Sequence, residues 1–253
     1  MRSLAGARAI VTGGSRGIGL AIAKHFAAEG ASITLVGRDE ARLQTALQSL
    51  ALRPDLAPPA AAPPRHDTYA FDVADQSGWH RLMEGMKPNN QKVDVLVNAA
   101  GVSQNSLLYR TGAPDVKEIL GTNLVGTING CQVVIKSMMQ QKSGCIVNVS
   151  SLLATHAGRG ASVYAASKAG IVGLTRALAW EVGRFGIRIN VILPGYIQTE
   201  MTASVAKSVN LESLIPLGRL GSAEEVADAA AFLVKNPYAH NTVLNLDGGL
   251  SAT

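Results

Sequence analysis

Seven short runs rich in β-branched residues recur along the chain, each parted from the next by a stretch with helical spacing. The runs are "RAIVT" (8–12), "SITLVG" (32–37), "TYAFDV" (68–73), "VDVLVN" (93–98), "GCIVNVS" (144–150), "IRINVIL" (187–193) and "TVLNL" (242–246). They read as near-continuous apolar segments, the pattern of strands buried on both faces. Helical patterns occupy 17–29, 39–52, 75–87, 115–140, 162–184 and 222–235. This alternation predicts one doubly wound α/β domain over residues 1–253, a seven-stranded parallel sheet with helices on both faces. No period of 20–50 residues repeats, which excludes a solenoid. One segment breaks the rhythm: "RPDLAPPAAAPPRH" (53–66) holds five of the ten prolines. Proline at that density continues neither a helix nor a central strand, so the segment reads as a solvated insertion before the third strand.

Composition narrows the functional classes. Hydrophobic residues make up 47% of the chain and charged residues 16%, enough for a large core. No apolar run approaches the ~18 residues of a membrane span, so no membrane association is expected. The first motif begins at Thr12, leaving no room for a secretory signal. The expected location is therefore the cytoplasm or the mitochondrial matrix. Cys131 and Cys145 form no CxxC and read as buried, reduced thiols. The five histidines show no HxxxH or HExxH spacing, so no metal site is expected. A net charge of +5 without a lysine/arginine block, and only 4% aromatics, argue against nucleic acid as a partner.

The first strand runs straight into "TGGSRGIG" (12–19), and a helix opens behind it. Gly13, Gly17 and Gly19, with Ser15, Arg16 and Ile18 between them, allow backbone amides to approach a pyrophosphate at the helix N-terminus. A Walker A loop is excluded, because Leu20 and Ala21 follow the last glycine where Lys-Ser/Thr would stand. A dinucleotide fold that selects NAD places an acidic residue at the end of its second strand. Here Gly37 and Arg38 occupy that point, a space and a cation suited to a 2′-phosphate. The expected cofactor is NADP(H), with Arg16 as a second cation and Asp39 as the cap of the next helix.

Further motifs follow in order: "NAAG" (98–101), "TNLVG" (122–126), Ser151 thirteen residues before Tyr164, "YAASK" (164–168), and Pro194 leading into "GYIQT" (195–199). With the glycine turn, this set resembles the short-chain dehydrogenase/reductase family over essentially the whole chain. Within it, stretches such as "VYAASKAGIVGLTRALAWEV" and "IPLGRLGSAEEVADAAAFL" are most similar to 3-oxoacyl-[acyl-carrier-protein] reductases. The resemblance implies a Rossmann-type fold and NADPH-dependent reduction of a 3-oxoacyl thioester in fatty acid synthesis. It also implies a homotetramer built through 115–140 and 162–184, a substrate lid near 198–215, and acyl carrier protein as a candidate partner. By the same likeness Tyr164 donates a proton to the carbonyl oxygen and Ser151 hydrogen-bonds that oxygen. Lys168 lowers the tyrosine pKa and holds the nicotinamide ribose, and Asn123 anchors a water relay. Asp72 and Val73 contact adenine, Gly101 and Asn98 line the central strand end, and Ile197 and Thr199 flank the carboxamide. Asn98 has an equal reading as a tie between adjacent strands, and Ser150 competes with Ser151.

The central pair has its own physical logic. Tyr164 and Lys168, at i and i+4, share one helix face. Moving a phenol from pKa ~10 to ~7 takes about 4 kcal/mol. A cation 4 Å away supplies ~1 kcal/mol in water and ~4 at the effective dielectric of a protein cleft. The pair thus requires partial desolvation, which the small Ala165, Ala166 and Ala169 are expected to permit beside the cofactor. Two other functions stay open: a relative acting on a sugar, steroid or quinone, decided by 102–110 and 200–213, or a non-catalytic subunit of a hetero-oligomer. The chain departs from the likeness in the 53–66 insertion and in His240-Asn241 where Thr-Gly is usual. Lys142 and Arg184 are the expected cations at the site mouth for an acidic carrier.

Overall fold

The computed structural model describes residues 3–52, 55, 64–86, 92–206 and 210–252. Among these, the strands are β1 (Arg8–Thr12), β2 (Ser32–Gly37), β3 (Asp67–Ala70), β4 (Val95–Asn98), β5 (Gly144–Val149), β6 (Ile187–Pro194) and β7 (Val243–Leu246). They form one parallel sheet in the order β3-β2-β1-β4-β5-β6-β7. The chain builds outward from β1 to β3, then crosses to the other side of β1 to start β4. That reversal opens a crevice beyond the C-terminal ends of β1 and β4, where doubly wound folds bind their ligands.

The helices are α1 (Gly17–Ala28), α2 (Glu40–Gln48), α3 (Gln76–Met86), α4 (Ala113–Leu120), α5 (Gly126–Gln141), α6 (Ser162–Val182), α7 (Glu200–Ala206) and α8 (Ala223–Lys235). Side chains alternate across each strand, so the sheet separates two apolar layers. Val11, Val97 and Val147 face Ile22 and Phe26 of α1, Leu43 of α2 and Leu233 of α8. Ile10, Leu96 and Ile146 face Trp79 of α3, Val134 of α5 and Val182 of α6. Asp39 caps α2 as the sequence suggests, accepting from the Arg42 amide at 3.1 Å.

Several boundaries differ from expectation. β3 stops at Ala70, so Phe71, Asp72 and Val73 lie in the turn that follows and are free to face the crevice. The helix expected over 115–140 begins at Ala113 and is interrupted by a π-helical turn at Gly121–Val125, which carries Asn123. Such turns inside a helix concentrate at functional sites. A short helix, α7, forms inside the expected lid. Most of the proline-rich insertion, residues 53, 54 and 56–63, lies outside the described residues. His66 at its end accepts from the Ile33 amide at 3.1 Å, and burial pushes its pKa below the usual imidazole value. No helix among the described residues is long and apolar enough to cross a membrane.

Candidate active site

β1 ends at Thr12, and the turn behind it depends on its glycines. Gly13 and Gly17 adopt φ of +64° and +55°, in the left-handed region that glycine enters without strain. A Cβ on Gly13 would lie 2.8 Å from the Ala99 carbonyl oxygen, and one on Gly19 would collide with the Gly13 carbonyl. α1 then starts with no side chain capping its first amides, which leaves them directed at the crevice. The turn and the ends of β2, β3 and β4 enclose a cleft of about 380 Å³. Gly13, Ser15, Arg16, Gly17, Ile18 and Gly19 line it from the turn, Arg38 from the end of β2. Asp72 and Val73 line it behind β3, Gly101 behind β4, and Thr199 closes it from the far side. The cations at its rim are paired: Arg38 with Glu118 at 3.1 Å, and Arg16 with Glu200 of α7.

A second, smaller cavity of about 180 Å³ adjoins the first, and Ile18, Thr199 and Met201 line both. Tyr164 and Ser151 face this second space and are hydrogen-bonded to each other. Ser150 borders the same space but is 3% exposed, and its hydroxyl donates to the Lys168 carbonyl at 2.7 Å. The Ser150 hydroxyl is thus engaged by the backbone of α6, while that of Ser151 reaches Tyr164.

Lys168 is 4% exposed; its Nζ donates to the Val149 carbonyl at 3.0 Å and lies 5.7 Å from the Tyr164 ring centroid. Burial pushes its pKa down to about 8. Burial also raises the Tyr164 pKa, and the Ser151 hydrogen bond opposes that rise. The family likeness implies that Lys168 lowers this pKa; here burial is the larger influence and acts the other way. Burial disfavours the charged form of each group, the phenolate and the ammonium alike, and the ammonium donates to a backbone carbonyl. Gly101 sits beside the pair's base: a Cβ there would be 3.4 Å from Lys168 Nζ and from Asn123 Oδ1.

Asn123 is fully buried. Its Oδ1 accepts from the Val102 amide at 2.8 Å, while Nδ2 donates to the Val102 carbonyl and Ser167 Oγ, each at 3.0 Å. Its side chain therefore braces the loop after β4 against α6 and lines neither cavity.

Three further expectations need correction. Asn98 stays away from the cleft: its Nδ2 donates to Asn148 Oδ1 at 2.9 Å, tying β4 to β5, so the strand-tie reading holds. The expected place of Ile197 is not among them: it lines the smaller cavity beside Thr199, which lines both. Ala166 and Ala169 are exposed, because their helical angle from Tyr164 turns them outward. Lys142 and Arg184 precede β5 and β6, and in a parallel sheet that puts them at the edge opposite the crevice. The turn at His240-Asn241 keeps its geometry, with Asn241 at φ +58° in the region asparagine tolerates next best to glycine. His240 fills the gap by accepting from the Ile189 amide at 3.2 Å and bonding the Ala179 carbonyl at 3.0 Å.

Sequence reading missed Thr12 and Gln104. Buried Thr12 Oγ1 accepts from the amides of Ala99 and Ala100 at 3.0 and 3.1 Å, holding the β4 exit against the glycine turn. Thr12 opens the glycine motif and Gln104 lies in the 102–110 stretch, but nothing in their spacing marks which backbone amide each will meet.

The family model described as short chain dehydrogenase matches residues 7–210. The chain is 39% identical over 240 residues to carbonyl reductase family member 4 of Xenopus laevis, covering 95% of this chain and 96% of the relative. It is 40% identical over 240 residues to the 3-oxoacyl-[acyl-carrier-protein] reductase of Homo sapiens, again covering 95% and 96%. Among solved structures, a gluconate 5-dehydrogenase from Burkholderia cenocepacia J2315, in complex with NADP and tartrate, superposes with a TM-score of 0.89 at 29% identity, covering 99% of this chain and 97% of that one. A levodione reductase superposes with a TM-score of 0.89 at 32% identity over the whole of both chains.

Proposed function

The chain belongs to the short-chain dehydrogenase family, and on that premise we propose that this oxidoreductase reduces a 3-oxoacyl thioester to the 3-hydroxyacyl thioester with NADPH. The observation that carries the reading is the meeting of the two cavities, with Ser151 and Tyr164 in one and the glycine turn in the other. The residues present fit a dinucleotide. The turn has no room for a Cβ at Gly13 or Gly19, and the first amides of α1 are uncapped toward the cleft. Arg38 and Arg16 would hold a 2′-phosphate, exchanging their carboxylate partners for it.

When bound, the nicotinamide supplies a hydride to the carbonyl carbon of the substrate. Tyr164 supplies the proton to the carbonyl oxygen, and burial keeps its phenol protonated until that moment. Ser151, bonded to Tyr164, is placed to donate to the same oxygen. Lys168 stands behind the tyrosine as a cation ready to stabilise the phenolate that remains.

The direct test follows NADPH and NADH oxidation with an acetoacetyl thioester beside simple ketones. Thioester reduction that prefers NADPH is expected, and its absence would sink the reading. Tyr164→Phe should lower kcat by about 10²–10⁴ while leaving cofactor binding in place; full activity would remove the tyrosine from the mechanism.

A second reading, interconversion of a hydroxy acid and a keto acid, is favoured by Arg159. Among the described residues it is the sole charged side chain lining the Tyr164 cavity. The gluconate 5-dehydrogenase likeness agrees with it. Arg159→Gln should raise KM for acetoacetate and leave KM for a neutral ketone unchanged.

A further inference from the structure

Helix α6 begins without a cap of its own. Its N-cap residue is Ala161, whose methyl group accepts no hydrogen bond, so the first-turn amides are left to other partners. Those of Val163 and Tyr164 both donate to Gln104 Oε1, at 2.8 and 3.1 Å. The other end of the same amide donates to the Ser106 carbonyl and to Thr111 Oγ1, each at 3.0 Å. Every hydrogen-bonding position of the Gln104 side chain is thereby used, and the residue is 7% exposed. Gln104 lies on the loop after β4 and lines the same cavity as Tyr164.

We propose that Gln104 is a positioning residue for Tyr164: a strut through which the loop of residues 102–111 sets the position of the proton donor. The proposal rests on the reading of Tyr164 as that donor. The carbonyl of Tyr164 is held by Ser167 Oγ, three residues further along α6, and that of Lys168 by Ser150 Oγ, just beyond β5. On the N-terminal side, Gln104 supplies the bond to the Tyr164 amide itself. A displacement of about 1 Å in a reacting group costs on the order of 10²-fold in rate, so loosening this end acts on turnover before it acts on binding. Because Ser103 and Asn105 flank Gln104 in the cavity wall, a substrate that contacts them pulls on the same strut.

The test compares Gln104→Met, which keeps the length but removes acceptor and donors, with Gln104→Glu, which keeps the acceptor. In the cofactor-free protein, amide exchange at Val163 and Tyr164 should quicken about tenfold in Gln104→Met, the worth of one net hydrogen bond. It should return toward wild type in Gln104→Glu, with exchange in the rest of α6 unchanged. In turnover, Gln104→Met should lower kcat at least tenfold with KM and NADPH affinity within about twofold, and Gln104→Glu should recover most of kcat. Unchanged exchange at 163 and 164 in Gln104→Met overturns the strut, whatever the turnover. Equal loss of kcat in both variants, tracking a lowered Tm, overturns it as well. A wild type that reduces no ketone or thioester, yet shows the exchange pattern, sinks the functional reading and leaves the strut standing.

Discussion

Lys168 carries a positive charge in a place where burial opposes it, with its pKa at about 8. The unfolded chain holds that proton up to about 10.4. Between these values the unfolded state binds more protons than the native one, so native stability rises with pH across the window. Against Lys168→Met, which lacks the group, wild type should gain on the order of 2–3 kcal/mol between pH 7.5 and 10.5. Urea unfolding of both proteins at the two pH values measures it; a constant difference would show that the ammonium is not held under strain. The i,i+4 spacing of Tyr164 and Lys168 was readable in the sequence, because helical period alone puts both on one face. Their electrostatic balance was not. It depends on the Val149 carbonyl that takes Nζ and on the Ser151 hydroxyl at the phenol, both supplied by β5 and its exit.

Among the elements, the turn between β1 and α1 is the most completely encoded. Its glycines, its position between a strand and a helix and the absent Walker lysine were all legible, since each is a local property. What the structure adds is the reason each glycine is needed, namely contact with the β4 exit at Gly13 and with the turn itself at Gly19. Gly19→Ala should therefore weaken binding of the nicotinamide cofactor at least tenfold and cost about 1–3 kcal/mol of stability, as overpacking does. Fluorescence titration and thermal unfolding check the two effects, and a variant that binds as wild type would show that the turn can relax. The π-helical turn at Gly121–Val125 was invisible beforehand, because a single inserted residue leaves the apolar period of the flanking helices intact. It is nonetheless what buries Asn123 against Val102 and Ser167.

On the scale of the molecule, the π-helical turn, α5 and α6 leave large apolar side chains uncovered: Val125 and Ile128 are 42% and 39% exposed, Met139 36%, and Trp180 91%. Large apolar side chains left exposed on these helices suit an interaction surface, and the homotetramer implied by the family likeness is proposed to close over them through a second copy of these helices. Trp180→Asp should release smaller species in light scattering with the circular dichroism of the fold retained; an unchanged mass would place the interface elsewhere. The sequence by itself determined the alternation of strand and helix, the parallel sheet, the glycine turn and the Tyr164–Lys168 face, because periodicity and turn chemistry are written among near neighbours. Only the tertiary structure decided which distant groups meet. Asn98 joins Asn148 across 50 residues and Gln104 reaches Tyr164 across 60, while Lys142 and Arg184 fall at the far edge of the sheet. The physical reason is that a buried polar group is satisfied by whatever donor or acceptor the strand order brings beside it, and that order is a property of the whole sheet.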